Sequence, residues 1–228
     1  ISFLKNKFNL KYFKIPSGEI TNYPYLKTVA KVKKEILLST GMSTIKEIKD
    51  AKSLLIKNGV KKENIILMHC ISDYPTKEKD INLNFIKTLK NMSKIVGFSD
   101  HSKGYDASNL AIALGATIIE KHFTLNQKMK GPDHHISLNP KQLKQFIKKI
   151  RKTEIILGRN KKIITEGEKV LKKYARKSII TKKKIKKEQF FSNTNLTTKR
   201  PGDGISPMKW KKIIGTKSTK NFDIDEKI

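Results

Sequence analysis

The stretches "KIVGFSDH" (94–101) and "TIIEKHF" (117–123) decide the fold. Each is a short apolar run of strand length that finishes on a polar tip. Each tip carries a histidine, His101 and His122, and the two lie 21 positions apart. That interval holds one helical crossover, the connection that parallel strands require. The apolar residues at 105–114 recur at helical spacing and supply it.

Working outward, the same alternation recurs. Strands are expected at 10–16, 35–40, 64–70, 94–99 and 117–123, and helices at 22–32, 43–58, 82–92, 105–114 and 140–157. "STIKEIKDAKSLLIKNG" (43–59) shows the helical pattern well: Ser43 or Thr44 can cap its start and Gly59 ends it. Repeated strand–helix units define an α/β fold, a parallel sheet with helices outside. Five units cannot close an eight-stranded barrel. Either the sheet is open and doubly wound, or three further units precede Ile1.

The character changes after about residue 158. The stretch 159–176 is polar and Lys-rich and reads as a linker or surface helix, whereas 177–228 shows short β-type pairs broken by turn residues. The expected division is therefore 1–158 for the strand–helix units, 159–176 for the linker and 177–228 for a small, mostly β module.

The chain of 228 residues carries a formal net charge of +30. Such a charge raises the possibility of nucleic acid as a partner. The positive charge is almost all lysine, however, with arginine only at 151, 159, 176 and 200. Bidentate phosphate and base recognition favours arginine, so dispersed lysine is read as a solvated surface without a specific nucleic-acid site. No apolar run approaches the roughly 20 residues that cross a bilayer, so no membrane partner is expected. A single cysteine fits a reducing compartment, and a cytoplasmic location is expected. Cys70 follows His69 in a strand, where neighbours face opposite sides, so the two cannot act as a nucleophilic pair. Cys70 is read as structural.

The predicted strands end on "KIPSGE" (14–19), "LSTGM" (38–42), "HCISDYP" (69–75), "GFSDH" (97–101) and "EKHF" (120–123). In a parallel barrel these carboxyl ends share one rim, where catalysis takes place. Two imidazoles on neighbouring strand ends, each near a carboxylate (Asp100, Glu120), suit a catalytic divalent metal. Lys14, Ser17, Ser39 and Ser99 can jointly bind an anion, a phosphate or carboxylate. Glu19 is either a general base or a first-turn carboxylate for the following helix. Asp133, in "GPDHH" (131–135), can bind a polar substrate, and Tyr74 can pack or donate its hydroxyl. Arg200 stands in the Gly- and Pro-punctuated "KRPGDGISP" (199–207), which presents it outward.

The motifs "KIPSGE", "LSTGM", "GFSDH", "IEKHFTL", "GPDHHISL" and "KRPGDGISP" resemble those of the bacterial sialic acid synthases and their relatives, the legionaminic and pseudaminic acid synthases, in the same order and over essentially the whole chain. The resemblance implies a (β/α)8 TIM barrel, here without its first three or so units, followed by a small antifreeze-like (SAF) domain. It implies condensation of phosphoenolpyruvate with N-acetylmannosamine or a related 2-acetamido sugar. The products are a nine-carbon 2-keto sugar acid, N-acetylneuraminate or N,N'-diacetyllegionaminate, and phosphate. A divalent ion (Mn or Mg) would sit on His101 and His122. Lys14, Ser17, Ser39 and Ser99 match positions that hold phosphoenolpyruvate; Ser72 stands where some members carry Asn, giving shorter reach. Glu19, Tyr74 and Asp133 match catalytic positions near the sugar or the proton transfer. Arg200 matches an arginine that one subunit's SAF domain offers to the other's barrel, which implies a domain-swapped homodimer. The alternatives are a basic nucleic-acid-binding protein without enzymatic activity, and an inactive, truncated remnant of a synthase.

Overall fold

The five apolar runs form five parallel strands in the computed structural model, which describes residues 1–8 and 10–228. They are β1 (Tyr12–Ile15), β2 (Glu35–Ser39), β3 (Ile65–Cys70), β4 (Val96–Asp100) and β5 (Ile118–Lys121). Their order in the sheet is their order in the chain. That removes the doubly wound alternative, in which the order reverses at a switch point. Helices α1 (Ser2–Lys7), α2 (Tyr23–Ala30), α3 (Ile45–Lys57), α4 (Phe85–Lys90), α5 (Asp106–Ala113) and α6 (Pro140–Leu157) accompany the strands.

One contact shows that the sheet is curled. Four inter-strand steps of about 4.8 Å would hold β1 and β5 about 19 Å apart in a flat sheet. Lys14 Nζ on β1 nevertheless lies 3.0 Å from Glu120 Oε1 on β5. The five units therefore form a half-barrel, with one face turned inward and the helices on the other.

The helices form where local chemistry directs them. Thr44 accepts from the Glu47 N–H while Glu47 accepts from the Thr44 N–H, a capping box that starts α3. At the other end Gly59 has φ +97, a conformation that costs glycine little, and Val60 N–H reaches back to Leu55 O. The buried face of α3, with Ile48, Ala51 and Leu55, packs with Leu26 and Val29 of α2 and with Ile36 and Leu38 of β2 in one core. β3 is buried along its whole length, as the middle strand of five should be.

The chain divides into two compact units, 1–158 and 159–228. The second begins with α7 (Glu166–Ala175), which has no buried residue and lies in the stretch read as a linker or surface helix. Strands β6 (Ser178–Thr181) and β7 (Leu196–Lys199) pair antiparallel, and isolated bridges such as Ile185 to Phe222 join other segments of the unit. A one-turn helix, α8 (Trp210–Ile213), completes this unit. Its buried core is small: Ile179, Ile185, Phe191, Leu196 and Phe222.

Candidate active site

Because the strands are parallel, their carboxyl ends reach one edge, and the side chains there enclose a cavity of about 440 Å³. β1 contributes Lys14 and the following Ser17; β2 contributes Ser39; β3 contributes Cys70 and, just beyond it, Ser72 and Tyr74. β4 and β5 contribute Ser99, His101, Glu120 and His122. The histidines meet for a simple reason. The β4–β5 register pairs Ser99 with Glu120 and Asp100 with Lys121, the same offset that separates His101 from His122. Each histidine is the first residue beyond its strand, at the same level, with ring centroids 5.2 Å apart in a T-shaped arrangement.

Hydrogen bonds fix the tautomer of His101. Its Nδ1 lies 2.7 Å from Ile71 O, and a carbonyl can only accept, so Nδ1 carries the proton. In the neutral ring the lone pair then lies on Nε2, which faces Ser99 Oγ at 3.5 Å. Burial, reinforced by the neighbouring His101, pushes the His122 pKa below its ordinary value, with Asp133 and Glu120 opposing. A neutral imidazole is the form that binds a metal. His101 and His122 therefore fit a divalent ion as a two-imidazole set with open positions. No group of three or more His, Cys, Asp or Glu is arranged to hold one among the described residues, so the remaining ligands would be substrate or water.

The other half of the cavity is built for an anion. Lys14 supplies the cation. Ser17 Oγ accepts from the Gly41 N–H at 3.0 Å, which leaves its own proton to donate. A Cβ at Gly41 would collide with Ser72 Oγ and Ser17 Oγ, so the three loops close in only because that position is glycine. Ser39 Oγ is buried with no hydrogen-bond partner among the described residues. A buried hydroxyl without a partner is costly, and a bound oxyanion would satisfy it. Ser99 donates to Glu120 Oε1 at 2.7 Å, so Glu120 joins the cation of β1 to the hydroxyl of β4.

Tyr74 lies over the histidines, its ring centroid 4.1 Å from that of His101 and 5.6 Å from that of His122. Burial raises its pKa, with Cys70, Asp133 and Glu120 adding to the effect, so it stays a hydroxyl donor at neutral pH. Asp133 Oδ2 is 3.7 Å from His122 Nδ1, at the rim.

Three expected residues are not part of the cavity lining: Asp133, which touches it only through His122, and Glu19 and Arg200, which stand elsewhere. Glu19 does not line the cavity; its carboxylate accepts from Asn22 Nδ2 at 2.5 Å, beside the cap of α2. This is the helix-terminus placement. Arg200 belongs to the second unit, where its Nε donates to Ala175 O, the last residue of α7. Among the cavity residues, sequence reasoning gave Cys70 and Met42 no role at the site and named Glu120 only as a carboxylate near the histidines. Cys70, read as structural, lines the cavity. His69 turns to the helix side and stacks on Phe98, while the Cys70 thiol faces the cavity, 3.8 Å from His101 Nδ1. Strand alternation gave the signal: Cys70 pairs with Ser99, a residue already assigned to the rim. A groove of similar volume between α2 and α3 has no such convergence, because Glu47 and Asp50 are engaged by Thr44 and Lys46.

A curled parallel sheet with its polar groups gathered at the strands' carboxyl ends is a barrel-type α/β fold with a catalytic rim. The chain belongs to the NeuB family, whose model matches residues 1–162. An N,N'-diacetyllegionaminic acid synthase of Campylobacter jejuni is 48% identical over 226 residues, covering 99% of this chain and 68% of that protein. Another of the same name, from Legionella pneumophila, is 36% identical over 93% of this chain and 61% of its own length. The crystal structure of N-acetylneuraminic acid (sialic acid) synthetase from Leptospira borgpetersenii, in complex with citrate, superposes with a TM-score of 0.66. It is 36% identical and covers 73% of this chain and 57% of that one. The chain thus spans about two thirds of the length of these curated relatives.

Proposed function

We propose that the protein condenses phosphoenolpyruvate with a 2-acetamido sugar aldehyde to give a nine-carbon 2-keto sugar acid and phosphate. One observation carries this reading: a cation, several serine hydroxyls, one of them unpartnered among the described residues, and two imidazoles converge from five consecutive strand ends. Such a cavity suits a small dianion beside a carbonyl compound. Lys14, Ser17, Ser39, Ser72 and Ser99 would hold the phosphate and carboxylate of phosphoenolpyruvate, with Glu120 released from Lys14 as the anion arrives. Tyr74 and Asp133 would orient the sugar. Glu19 would act on the sugar only if the loop bearing it turned toward the cavity. A divalent ion, Mn or Mg, held by His101 and His122 would polarise the aldehyde oxygen as a Lewis acid. Of the curated relatives' products, N,N'-diacetyllegionaminate suits this chain best, because a synthase of that name shares 48% identity with it.

The same reading makes residues 1–158 five units of a (β/α)8 barrel, 159–176 its connection, and 177–228 an antifreeze-like (SAF) domain in a cytoplasmic, domain-swapped homodimer. In that dimer Arg200 would hydrogen-bond the acetamido carbonyl of the sugar in the other subunit. Mixing Arg200→Ala protein with His122→Ala protein tests this. Cross-subunit action restores about one working site in two; no recovery after confirmed subunit exchange excludes it.

The direct assay measures phosphate release from phosphoenolpyruvate with Mn²⁺ and a panel of 2-acetamido sugars. Sugar-dependent release is expected, together with thermal stabilisation by Mn²⁺ and phosphoenolpyruvate. Stabilisation by DNA with a steep salt dependence, and no release, would favour the nucleic-acid alternative instead.

A further inference from the structure

Asp100 and Lys121 face each other in the β4–β5 register, one residue before His101 and His122 respectively. Strand alternation turns them to the helix side, away from the cavity that Ser99 and Glu120 line. There they form an ion pair at 3.0 Å with side-chain exposures of 0% and 4%. Asp100 Oδ1 also accepts the Ser102 N–H at 2.8 Å and the Ser102 hydroxyl at 2.6 Å, and Oδ2 accepts Ser108 Oγ of α5 at 2.6 Å. Lys121 Nζ donates to Ser102 O as well. Ser102 follows His101, and Lys121 precedes His122. The cluster therefore ties the backbone just after one imidazole to the backbone just before the other.

A buried ion pair adds little net stability over a well-packed apolar pair, so stability alone does not account for it. The two imidazoles also differ in how they are held. The His101 ring is anchored by Ile71 O. The nearest polar partner of the His122 ring, Asp133, stands 3.7 Å away, so its position depends on its backbone. We propose that the Asp100–Lys121 pair is a positioning device that sets the separation and orientation of His101 and His122. It rests on the reading of those imidazoles as the working pair.

The test compares wild type, Lys121→Met and the double variant Asp100→Leu/Lys121→Met. Denaturation, Mn²⁺ binding by electron paramagnetic resonance, and imidazole NMR signals are measured on each. Lys121→Met should lose stability, because it strands a buried carboxylate, and the double variant should regain part of it, the Ser102 and Ser108 donors having lost their acceptor. Despite that recovery, the double variant should bind Mn²⁺ about 10–100-fold more weakly, the usual cost of losing support behind a ligand. Its His101 and His122 signals should move while those of His134 and His135 stay. Recovery of wild-type Mn²⁺ affinity and signals along with stability would overturn the proposal. If the wild type itself binds no Mn²⁺, the metal reading fails and the imidazole signals alone decide the positioning role. Should the double variant not fold, Asp100→Asn decides: it neutralises one member of the pair but keeps an oxygen to accept from the Ser102 N–H. Shifts in the His101 and His122 signals then support the proposal, and unchanged signals overturn it.

Discussion

Residues 1–158 and residues 159–228 are both rich in lysine, yet they place their polar groups in opposite ways. In the first unit, polar side chains turn toward one another inside a cavity, some of them buried and one hydroxyl unpartnered. In the second, they form ion pairs on the surface, such as Lys199 with Asp225 and Lys217 with Glu188. Surface pairs contribute about 0–1 kcal/mol each. Buried polar groups cost stability unless they are fully satisfied. Their convergence in the first unit therefore marks function, while charge alone, which both units carry, marks nothing.

The largest expected effect separates the two units directly. His122→Ala should lower turnover by about 10³-fold or more, since metal assistance supplies several kcal/mol and each 1.36 kcal/mol is tenfold. Lys217→Ala in the second unit should leave turnover unchanged. Equal effects from the two variants would erase the contrast.

A stability experiment sharpens the same comparison. Leu55 and Ile185 are both fully or almost fully buried, but in separate cores. Truncating either to alanine should cost about 2–5 kcal/mol. Leu55→Ala should weaken hydrogen-exchange protection in β2 and β3 and spare β6. Ile185→Ala should do the reverse. Loss of protection throughout the chain from either variant would show one cooperative unit instead of two.

Lys14→Ala should raise the apparent KM for phosphoenolpyruvate about tenfold or more, because a charge-assisted contact is worth about 1.5–3 kcal/mol. The KM for the sugar should change less. A change confined to the sugar would move the anion site away from β1.

The half-barrel was legible because its signals are local. Short apolar runs, a capping box and a helix-ending glycine each act within a few residues, and the 21-residue spacing of the histidines is the β4–β5 register itself. The anion and imidazole residues were legible because they lie at strand ends, where topology guarantees a common edge. Glu120 was harder to place. Its role depends on Lys14, which lies on the far strand of the sheet and meets it only through curvature that no local pattern encodes. Cys70 lies opposite Ser99 across the sheet, a pairing that its sequence neighbour His69 does not reveal. Glu19 had two readings that spacing alone could not separate; in the structure its carboxylate meets Asn22 at the start of α2.

His69 provides the smallest expected effect and the finest test of the contrast, because it is a buried polar residue of the first unit that lies outside the cavity. Its Nε2 is 2.7 Å from Ile81 O, so Nε2 holds the proton, and its ring lies between Phe85 and Phe98. Nδ1 is buried without a partner among the described residues. Burial pushes its pKa below the ordinary 6.5, and the bond to Ile81 opposes this only in part. The unfolded chain then binds a proton that the folded chain refuses, so stability rises with pH across that interval. The contribution is fully present above pH 6.5 and is lost as the pH falls toward the lowered value. The slope cannot exceed about 1.4 kcal/mol per pH unit for one proton. Denaturation of wild type and His69→Phe at intervals from pH 7 to pH 5 should show a shallower pH dependence in the variant, even though its stability at pH 7 also falls through loss of the Ile81 bond. Parallel curves would mean that His69 takes up its proton without leaving the core, and burial would then not be what distinguishes it from the histidines of the cavity.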